Sequence, residues 1–255
     1  MMTFENITYG PVRSRRLGLS LGINLMPKEN KVCTFECIYC ECGFTKKGVV
    51  GHVPSRSEVK VELEKTLSSL SEQGMQLDVI TFAGNGEPTL HPDFEGVIDD
   101  TIELRDKYHS SAKISVLSNA TMLHKDSVCR ALNRVDNNIL KLDSAFDATV
   151  KLIDAPTQKD YSVSVVMENL RKFNGDFILQ TMFLRGSIDS QPVDNTTSEE
   201  VTAWSDMVRS LRPKQVMIYS IDRETPVKTL EKVSKEQLDK IAEPLRKEGF
   251  DILSV

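Results

Sequence analysis

The chain has 255 residues, of which 40% are hydrophobic and 27% charged, as in a globular protein long enough to bury a core. No apolar run reaches the length of a membrane-spanning helix, and the N-terminus MMTFENITYG lacks the apolar segment of a secretory signal, so we expect a cytoplasmic protein without membrane partners. The net charge of −5 argues against a protein dominated by nucleic-acid affinity.

The charge is distributed unevenly. Residues 11–60 carry nine Lys and Arg against four Asp and Glu, a local charge of +5, whereas residues 61–255 carry 23 against 32, a local charge of −9. This is either a chance asymmetry or a positive environment for an anionic cofactor or substrate.

Hydrophobic patterns along the chain predict strands that alternate with helices. Strands are predicted at 19–25, 77–83, 113–118, 138–143, 176–183, 214–220 and 251–253. Helices are predicted at 57–73, 93–107, 125–133, 147–153, 162–173, 198–210 and 234–247, the last kinked by Pro244. The polar stretches 26–56 and 186–199 are predicted to be functional loops or lids.

This alternation predicts an α/β fold with a mainly parallel sheet and right-handed crossovers. Six or seven strands fall short of the eight in a closed barrel, so we expect a partial (β/α)6 barrel of the TIM-like type, although a doubly wound sheet also fits the pattern. We predict a single domain over 1–255, with a core at about 18–222 and a C-terminal helix–strand extension at 223–255.

Four of the five cysteines lie within ten residues, at Cys33, Cys37, Cys40 and Cys42. In a reducing compartment, such crowding indicates metal or redox chemistry rather than disulfides. Zinc and an iron–sulfur cluster are both open, but one short loop with two cysteines only two positions apart suits tetrahedral zinc poorly. The fifth, Cys129, lies in a predicted helix and is expected to be a structural thiol.

Two strand ends downstream carry polar groups. The sequence VITFAGNGEPTLHPDF (79–94) is a buried strand, a glycine-rich turn with Glu87, a proline and a helix. Gly84 and Gly86 allow close backbone approach, and the carboxyl ends of parallel strands are where α/β proteins place their sites. The next predicted strand ends in Ser118-Asn119-Ala120-Thr121. Each turn also has a plain structural interpretation, as a capped strand-to-helix connection.

These three features together resemble the radical S-adenosylmethionine (SAM) superfamily, in which C-x3-C-x2-C carries an aromatic residue before the last cysteine. The resemblance implies a [4Fe–4S] cluster whose unique iron holds the amino and carboxylate groups of SAM. The cluster ligands it implies are Cys33, Cys37 and Cys40. The residues it implies around SAM are Tyr39, Gly84, Asn85, Gly86, Glu87, Ser118 and Asn119. Asn85 stands between the two glycines of the family's simplest motif, and Ala120 replaces a common glycine.

Further candidates come from the alternation of side chains along strands. Lys141 and Asp143 share the face opposite Leu140 and Leu142, and because a buried Lys–Asp pair costs desolvation, we take it as a catalytic candidate. A lysine reaching water at the strand edge is the alternative. The substrate-side candidates are Gln180, Arg185 and Tyr219; ordinary packing or surface pairing is the alternative role for each.

Several phrases resemble one branch of the superfamily, the group related to 4-demethylwyosine synthases. They are GPVRSRRLGLSLGINL, KLD, LQTMFLRG and MIYSIDRETPVKTLEKVS. That group modifies a tRNA guanosine with carbons from pyruvate, using a lysine and a second cluster bound by earlier cysteines. Residues 1–32 contain no cysteine, so the wyosine reaction itself is not carried over.

We therefore expect an enzyme that cleaves SAM to a 5′-deoxyadenosyl radical and abstracts hydrogen from a substrate. The substrate is an RNA or tRNA nucleoside, or alternatively a peptide or small metabolite; a zinc-binding module without catalysis is the remaining alternative. An electron donor such as flavodoxin or ferredoxin is implied. Arg13, Arg15 and Arg16 either contact a phosphate or, as we favour, line the SAM and cluster site.

Overall fold

The computed structural model describes residues 3–14 and 16–255, so Arg15 lies outside the described residues. The strands are β1 (Thr8–Ser14), β2 (Gly18–Ile23), β3 (Val79–Phe82), β4 (Lys113–Ser118), β5 (Asn137–Lys141), β6 (Ile178–Met182), β7 (Leu184–Ile188), β8 (Gln191–Asp194), β9 (Gln215–Tyr219), β10 (Leu230–Lys232) and β11 (Ile252–Ser254). The helices are α1 (Arg56–Glu72), α2 (Phe94–Tyr108), α3 (Asp126–Leu132), α4 (Asp147–Ile153), α5 (Val163–Arg171), α6 (Ser198–Leu211) and α7 (Lys235–Lys247).

The main sheet has eight strands in the order β1-β2-β3-β4-β5-β6-β9-β11. From β2 to β11 every neighbouring pair is parallel, and only β1 runs antiparallel, along the edge of β2. Helices connect the parallel strands, which is the order that buries a parallel sheet. The sheet curls into a half-barrel, so the predicted α/β partial barrel is confirmed.

The two faces of the sheet have separate cores. The main core packs strand residues such as Leu21, Ile80 and Leu140 against the helices. A smaller cluster on the alternate strand positions joins Ile139, Ile178 and Met217. Because successive side chains point to opposite faces, this second cluster lies on the concave side of the sheet.

The seven predicted strands and seven predicted helices all correspond to observed elements, with ends shifted by a few residues. The expectation that 186–199 is a loop is wrong, since most of it belongs to a β7–β8 hairpin that pairs with β10 in a second, three-stranded sheet. The last helix contains Pro244 and continues to Lys247. No helix within the described residues is long and apolar enough to cross a bilayer.

The parallel order brings several chain segments to one edge of the sheet. The cysteine-containing loop follows β2, the glycine-rich turn follows β3, Asn119 follows β4, and Lys141 and Tyr219 end β5 and β9. The carboxyl ends of parallel strands share one edge, which is where α/β folds build their sites.

Candidate active site at the carboxyl edge of the half-barrel

The cysteine loop, residues 31–42, is held by backbone hydrogen bonds on both sides. On one side Val32 bridges to Gly86: its N–H donates to the Asn85 carbonyl (2.9 Å), and its carbonyl accepts from the Glu87 N–H (3.0 Å). On the other side the N–H of Ile38 donates to the Ile153 carbonyl at 2.9 Å. The loop is therefore anchored both to the glycine-rich turn and to the end of α4.

All five cysteines are free thiols and partly buried. The Cys33 sulfur accepts from the N–H of Phe35 (3.4 Å) and lies 3.5 Å from the Asn119 amide nitrogen, while Lys141 Nζ lies 3.2 Å from the Cys37 sulfur. Burial raises the pKa of Cys33 to about 11 and that of Cys37 well above its ordinary value. Two of the three motif thiols thus favour the protonated form unless a cation or metal stabilises the thiolate.

The third motif thiol differs because of its neighbour. A hydrogen bond with Cys42 is the main cause that lowers the pKa of Cys40 to about 6, against the opposing effect of burial. Cys42 also donates to the Gly84 carbonyl at 3.2 Å. Cys42 therefore links the cysteine loop to the glycine-rich turn.

Both glycines of the turn are required by close packing. Gly84 and Gly86 have φ of +155° and +144°, and a Cβ at Gly86 would collide with the Val32 carbonyl. A Cβ at Gly84 would collide with the side chain of Asn24. The groups that approach these glycines are protein atoms of the cysteine loop and of the segment after β2.

Asn85 turns its side chain away from the loop. Its amide donates to the carbonyls of Phe4 (2.7 Å) and Pro27 (3.0 Å), and its oxygen accepts from the Phe4 N–H (2.9 Å). These contacts give Asn85 a structural role, which fastens the N-terminal segment to the glycine-rich turn.

Glu87 is buried and joins two strand ends. One carboxylate oxygen accepts from the N–H and hydroxyl of Thr89, and the other accepts from the Asn119 N–H at 2.7 Å. Burial raises its pKa, and these hydrogen bonds oppose the rise. The Asn119 amide in turn donates to Thr34 Oγ1 at 2.8 Å, so the carboxylate, the β4 turn and the cysteine loop form one network. Ser118, also buried, accepts from the Ala120 N–H at 3.1 Å.

A buried charge cluster lies beside Cys37. Lys141 forms ion pairs with Asp143 (3.2 Å) and Asp154, and the Tyr39 hydroxyl donates to Asp143. The three charged side chains are 10%, 0% and 1% exposed. Burial lowers the pKa of Lys141, but the two carboxylates outweigh it and hold the pKa well above its ordinary value. Burial and the Asp154 charge raise the pKa of Asp143 to about 7.

The substrate-side candidates separate into two groups. Gln180 is buried on β6, directly paired with Lys141, and Tyr219 ends β9 beside β6. Arg185 belongs to β7, on the face opposite Leu184 and Ile188, which pack toward Ile38 of the cysteine loop. The structure therefore brings Gln180 to Lys141, whereas Arg185 is partly buried in the second sheet and donates to Thr196 Oγ1 at 3.2 Å.

Two site residues were missed by the sequence analysis. Asp154 is paired with Lys141 but follows a short helix, and no local pattern marks it. Lys31 is buried next to the motif: burial lowers its pKa, but nearby thiolates of Cys40 and Cys33 outweigh this and raise it. Its position two residues before the first motif cysteine was the one available signal.

The donor set fits an iron–sulfur cluster. Three thiols come from one anchored loop, the Lys141 ammonium contacts the Cys37 sulfur, and the buried Lys31 ammonium is stabilised by nearby thiolates. Within 3–14 and 16–255, no three His, Cys, Asp or Glu side chains converge on one ion position. A cubane binds each thiolate through a different iron, so its ligands need not converge on one point.

Comparison with known proteins identifies the family. The sequence profile of the Radical SAM superfamily matches residues 30–192, more than half of the chain. The chain belongs to the radical SAM superfamily. The predicted membership is confirmed, and with it the class of enzyme and its two cofactors, a [4Fe–4S] cluster and SAM.

Curated relatives are similar over most of this chain. A protein named GTPase Obg from Brachyspira hyodysenteriae is 30% identical over 237 residues, which are 91% of this chain and 32% of that protein. A UPF0026 protein from Helicobacter pylori J99 is 28% identical over 243 residues, 93% of this chain and 73% of the relative. This chain thus spans about a third of the first relative and about three quarters of the second.

Solved structures share the fold. A radical SAM methyltransferase from Sphaerobacter thermophilus has a TM-score of 0.66 at 14% identity, over 92% of this chain and 65% of that one. TYW1 with a lysine–pyruvate adduct bound has a TM-score of 0.61 at 12% identity, over 89% of this chain and 73% of that one. At these identities the likeness shows a common architecture alone, which this chain shares with both of these proteins.

Proposed function

We propose that this chain is a radical SAM enzyme whose [4Fe–4S] cluster is held by Cys33, Cys37 and Cys40, and that its substrate loses hydrogen on the concave side of the half-barrel. The observation that carries the proposal is the direct contact of Cys37 with Lys141, because it joins the cysteine loop to the buried charge cluster on β5. When bound, the cluster and SAM supply a 5′-deoxyadenosyl radical for hydrogen abstraction.

The residues of the chain have separate roles in this proposal. Glu87, held by Asn119 and Thr89, presents a carboxylate for the SAM amino group. Ser118 and Asn119 lie at the next strand end, within reach of the same ligand, and Tyr39 provides an aromatic surface at the cysteine loop. Gly84 and Gly86 keep the turn close to that loop, and Asn85 fixes the turn from behind.

On the substrate side, Lys141 and Asp143 are the proposed catalytic pair. They lie on the same strand end as Gln180 and near Tyr219, whose pKa is raised by burial and by the Asp143 charge. The Tyr39 hydroxyl donates to Asp143 and Asp154, so it holds a proton beside the proposed pair in a position excluded from water. Arg185 stays a substrate candidate, on β7 of the second sheet.

An RNA nucleoside is the substrate class that we propose first. It rests on the sequence phrases shared with the wyosine branch and on the fold shared with TYW1. A small metabolite is the second candidate, and the excess of acidic residues outside 11–60 favours it, because such a surface repels RNA.

We also propose that an acidic electron carrier such as flavodoxin or ferredoxin docks beside the cysteine loop. The segment after the loop exposes Phe44, Lys46 and Lys47 to solvent, an apolar and basic surface within a few residues of Cys42. Five free thiols support a reducing compartment, the cytoplasm.

The test is anaerobic reconstitution with iron and sulfide, reduction with dithionite, and an assay of 5′-deoxyadenosine from SAM. The wild type is expected to bind about four irons per chain and to cleave SAM. Cys33→Ala, Cys37→Ala and Cys40→Ala should lose iron and activity, whereas the matched control Cys129→Ala, at a thiol bonded to the Leu123 carbonyl, should keep both.

Two results would overturn the proposal: full iron content in a motif variant, or bound zinc with intact SAM in the wild type. Mass spectrometry of tRNA and of a metabolite extract after turnover separates the two substrate classes. A mass change in tRNA supports the nucleoside, and a change confined to small molecules supports the metabolite.

A further inference from the structure

Arg16, Leu17 and Leu19, around the start of β2, each donate a backbone hydrogen bond to a side chain. The hydroxyl of Ser14 accepts from the N–H groups of Arg16 (3.3 Å) and Leu17 (3.2 Å). Beyond the turn, the N–H of Leu19 donates to the Asp78 carboxylate at 2.6 Å. The backbone that carries Arg16 is therefore held by hydrogen bonds within the protein.

Leu17 lies on the concave side of the half-barrel. Leu17 packs with the small cluster that contains Ile139, Ile178 and Met217. These residues occupy the strand positions that face away from the helices, two residues before Lys141, Gln180 and Tyr219 respectively. Leu17 thus closes the apolar floor beneath the polar strand ends.

On this concave side, Arg16 has a hydrogen-bond donor that no group in the described part of the chain satisfies. Its guanidinium lies 4.7 Å from the centre of the Tyr219 ring, and its Nη1 is buried without a hydrogen-bond partner. Among the described residues, no carboxylate forms an ion pair with it. A buried donor left unpaired costs free energy, and stacking on an aromatic ring offsets only part of that cost. Such a guanidinium is suited to receive an oxyanion.

Arg16 lies on the same concave side of the sheet as the buried charge cluster around Lys141. Burial and the Asp143 charge raise the pKa of Tyr219, whereas the charges of Arg16 and Lys141 lower it. The Tyr219 hydroxyl therefore lies in the field of both cations. Tyr219 ends β9, which β5 and β6 separate from the ends of β3 and β4, where Glu87 and Asn119 lie.

We propose that Arg16, stacked on Tyr219, binds an oxyanion of the substrate, either a phosphate monoester or a carboxylate. The inference rests on the proposed function, because it needs a substrate on the concave side. The carboxylate of SAM is the competing anion, but the proposed SAM residues on β3 and β4 lie across the sheet from β9.

The experiment uses reconstituted, SAM-loaded wild type, Arg16→Gln and Arg171→Gln, and it measures binding of inorganic phosphate and of pyruvate by calorimetry. Arg171 is the control, because it is an exposed arginine on α5, outside the site. We expect the wild type to bind at least one probe, Arg16→Gln to bind it at least tenfold more weakly, and Arg171→Gln to stay within twofold. Preference for phosphate or for pyruvate identifies the source of the oxyanion.

Thermal unfolding without probes gives a second readout. Because Arg16→Gln removes an unpaired buried donor, it should not lower the unfolding temperature, whereas loss of a structural arginine would. If Arg16→Gln does not fold, Arg16→Lys replaces it, since this variant keeps the charge and loses the planar fork. Probe binding by Arg16→Lys at least tenfold weaker than that of the wild type supports the inference, and unchanged binding contradicts it.

Three outcomes overturn the inference: no probe binding by the wild type, equal binding by Arg16→Gln, or a tenfold loss of SAM affinity in Arg16→Gln. The proposed function is tested separately, by SAM cleavage in the wild type without added probe. If the wild type cleaves SAM but binds neither probe, the proposed function stands and only the inference about Arg16 fails.

Discussion

The ammonium group of Lys141 is shared between two carboxylates that have almost no contact with water. Asp143 and Asp154 approach it from the strand end and from the segment after α4, and Tyr39 donates to Asp143 from the cysteine loop. Taking such charges out of water costs several kcal/mol per ion, and a hydrophobic replacement of the whole group is often no less stable. A role in the reaction therefore explains this buried cluster of Lys141, Asp143 and Asp154 better than a contribution to stability does.

Removing the cation alone should be costly. We predict that Lys141→Met destabilises the cluster-free protein by about 3–5 kcal/mol, because it leaves two buried carboxylates without a counterion. Urea unfolding followed by circular dichroism measures the difference. The control is Lys151→Met, at an exposed lysine on α4, which should change stability by less than about 0.5 kcal/mol. A loss below about 1 kcal/mol for Lys141→Met would show that the carboxylates are neutral or hydrated without it.

At the scale of elements, α1 and α2 are joined by a charged clamp. Arg56 makes two hydrogen bonds to Asp100, at 2.7 and 3.0 Å, and Lys60 adds a third at 3.1 Å. The Asp100 side chain is only 10% exposed, so its partners compensate for much of the lost hydration. The clamp fixes the two helices that cover β2, β3 and β4, the strands that carry the cysteine loop and its partners.

The clamp makes stability depend on pH in a definite direction. The hydrogen bond with Arg56 lowers the pKa of Asp100 below its ordinary value. The stabilisation is therefore complete above the unfolded pKa of about 3.9 and is lost as pH falls through the lower, folded value. We predict that Asp100→Asn costs about 1–2 kcal/mol at pH 7 and progressively less below pH 4.

Urea unfolding of wild type and Asp100→Asn at pH 7 and at pH 3 measures that change. Glu103→Gln is the control, since Glu103 binds the same Lys60 but is 66% exposed, and it should have little effect at either pH. A difference between wild type and Asp100→Asn that stays constant from pH 7 to pH 3 would contradict the role of the ionised carboxylate.

The elements that the sequence did not predict share a physical cause. The β7–β8 hairpin turns at Asp189 and Ser190, both with positive φ (48° and 68°), where a glycine pair or Asn-Gly would have signalled a two-residue turn. Its strands are short and largely polar, so they show no apolar alternation. The parallel strands, in contrast, are mostly buried and carry more apolar residues, as in VITF of β3 and QVMIY of β9.

The candidate site divides in the same way. The thiols, Glu87 and Lys141 could be proposed because each lies in a local motif or at a strand end. Asp154 could not, because its partner Lys141 is brought to it only by the path of the chain through α4. The concave position of Arg16 likewise depends on a turn that packs beneath strands more than a hundred residues away.

At the scale of the whole molecule, backbone hydrogen bonds connect the cysteine loop to its neighbours on both sides. The loop bonds to the turn after β3 on one side and to residues 153–157 on the other, and the second sheet packs against Ile38. We therefore expect the loop to become ordered when the barrel folds, because the loop's partners are themselves strand and helix ends.

This coupling predicts a protected loop in the cluster-free protein. The amides of Val32, Glu36 and Ile38 donate to backbone carbonyls at 2.9 Å, so in hydrogen exchange they should be slowed about hundredfold or more relative to the exposed segment 44–50. Exchange followed by mass spectrometry, before and after addition of iron and sulfide, measures this. If the amides of the loop exchange as fast as those of 44–50 until the cluster is built, the prediction is wrong. The cluster, and not the folded barrel, would then order the loop.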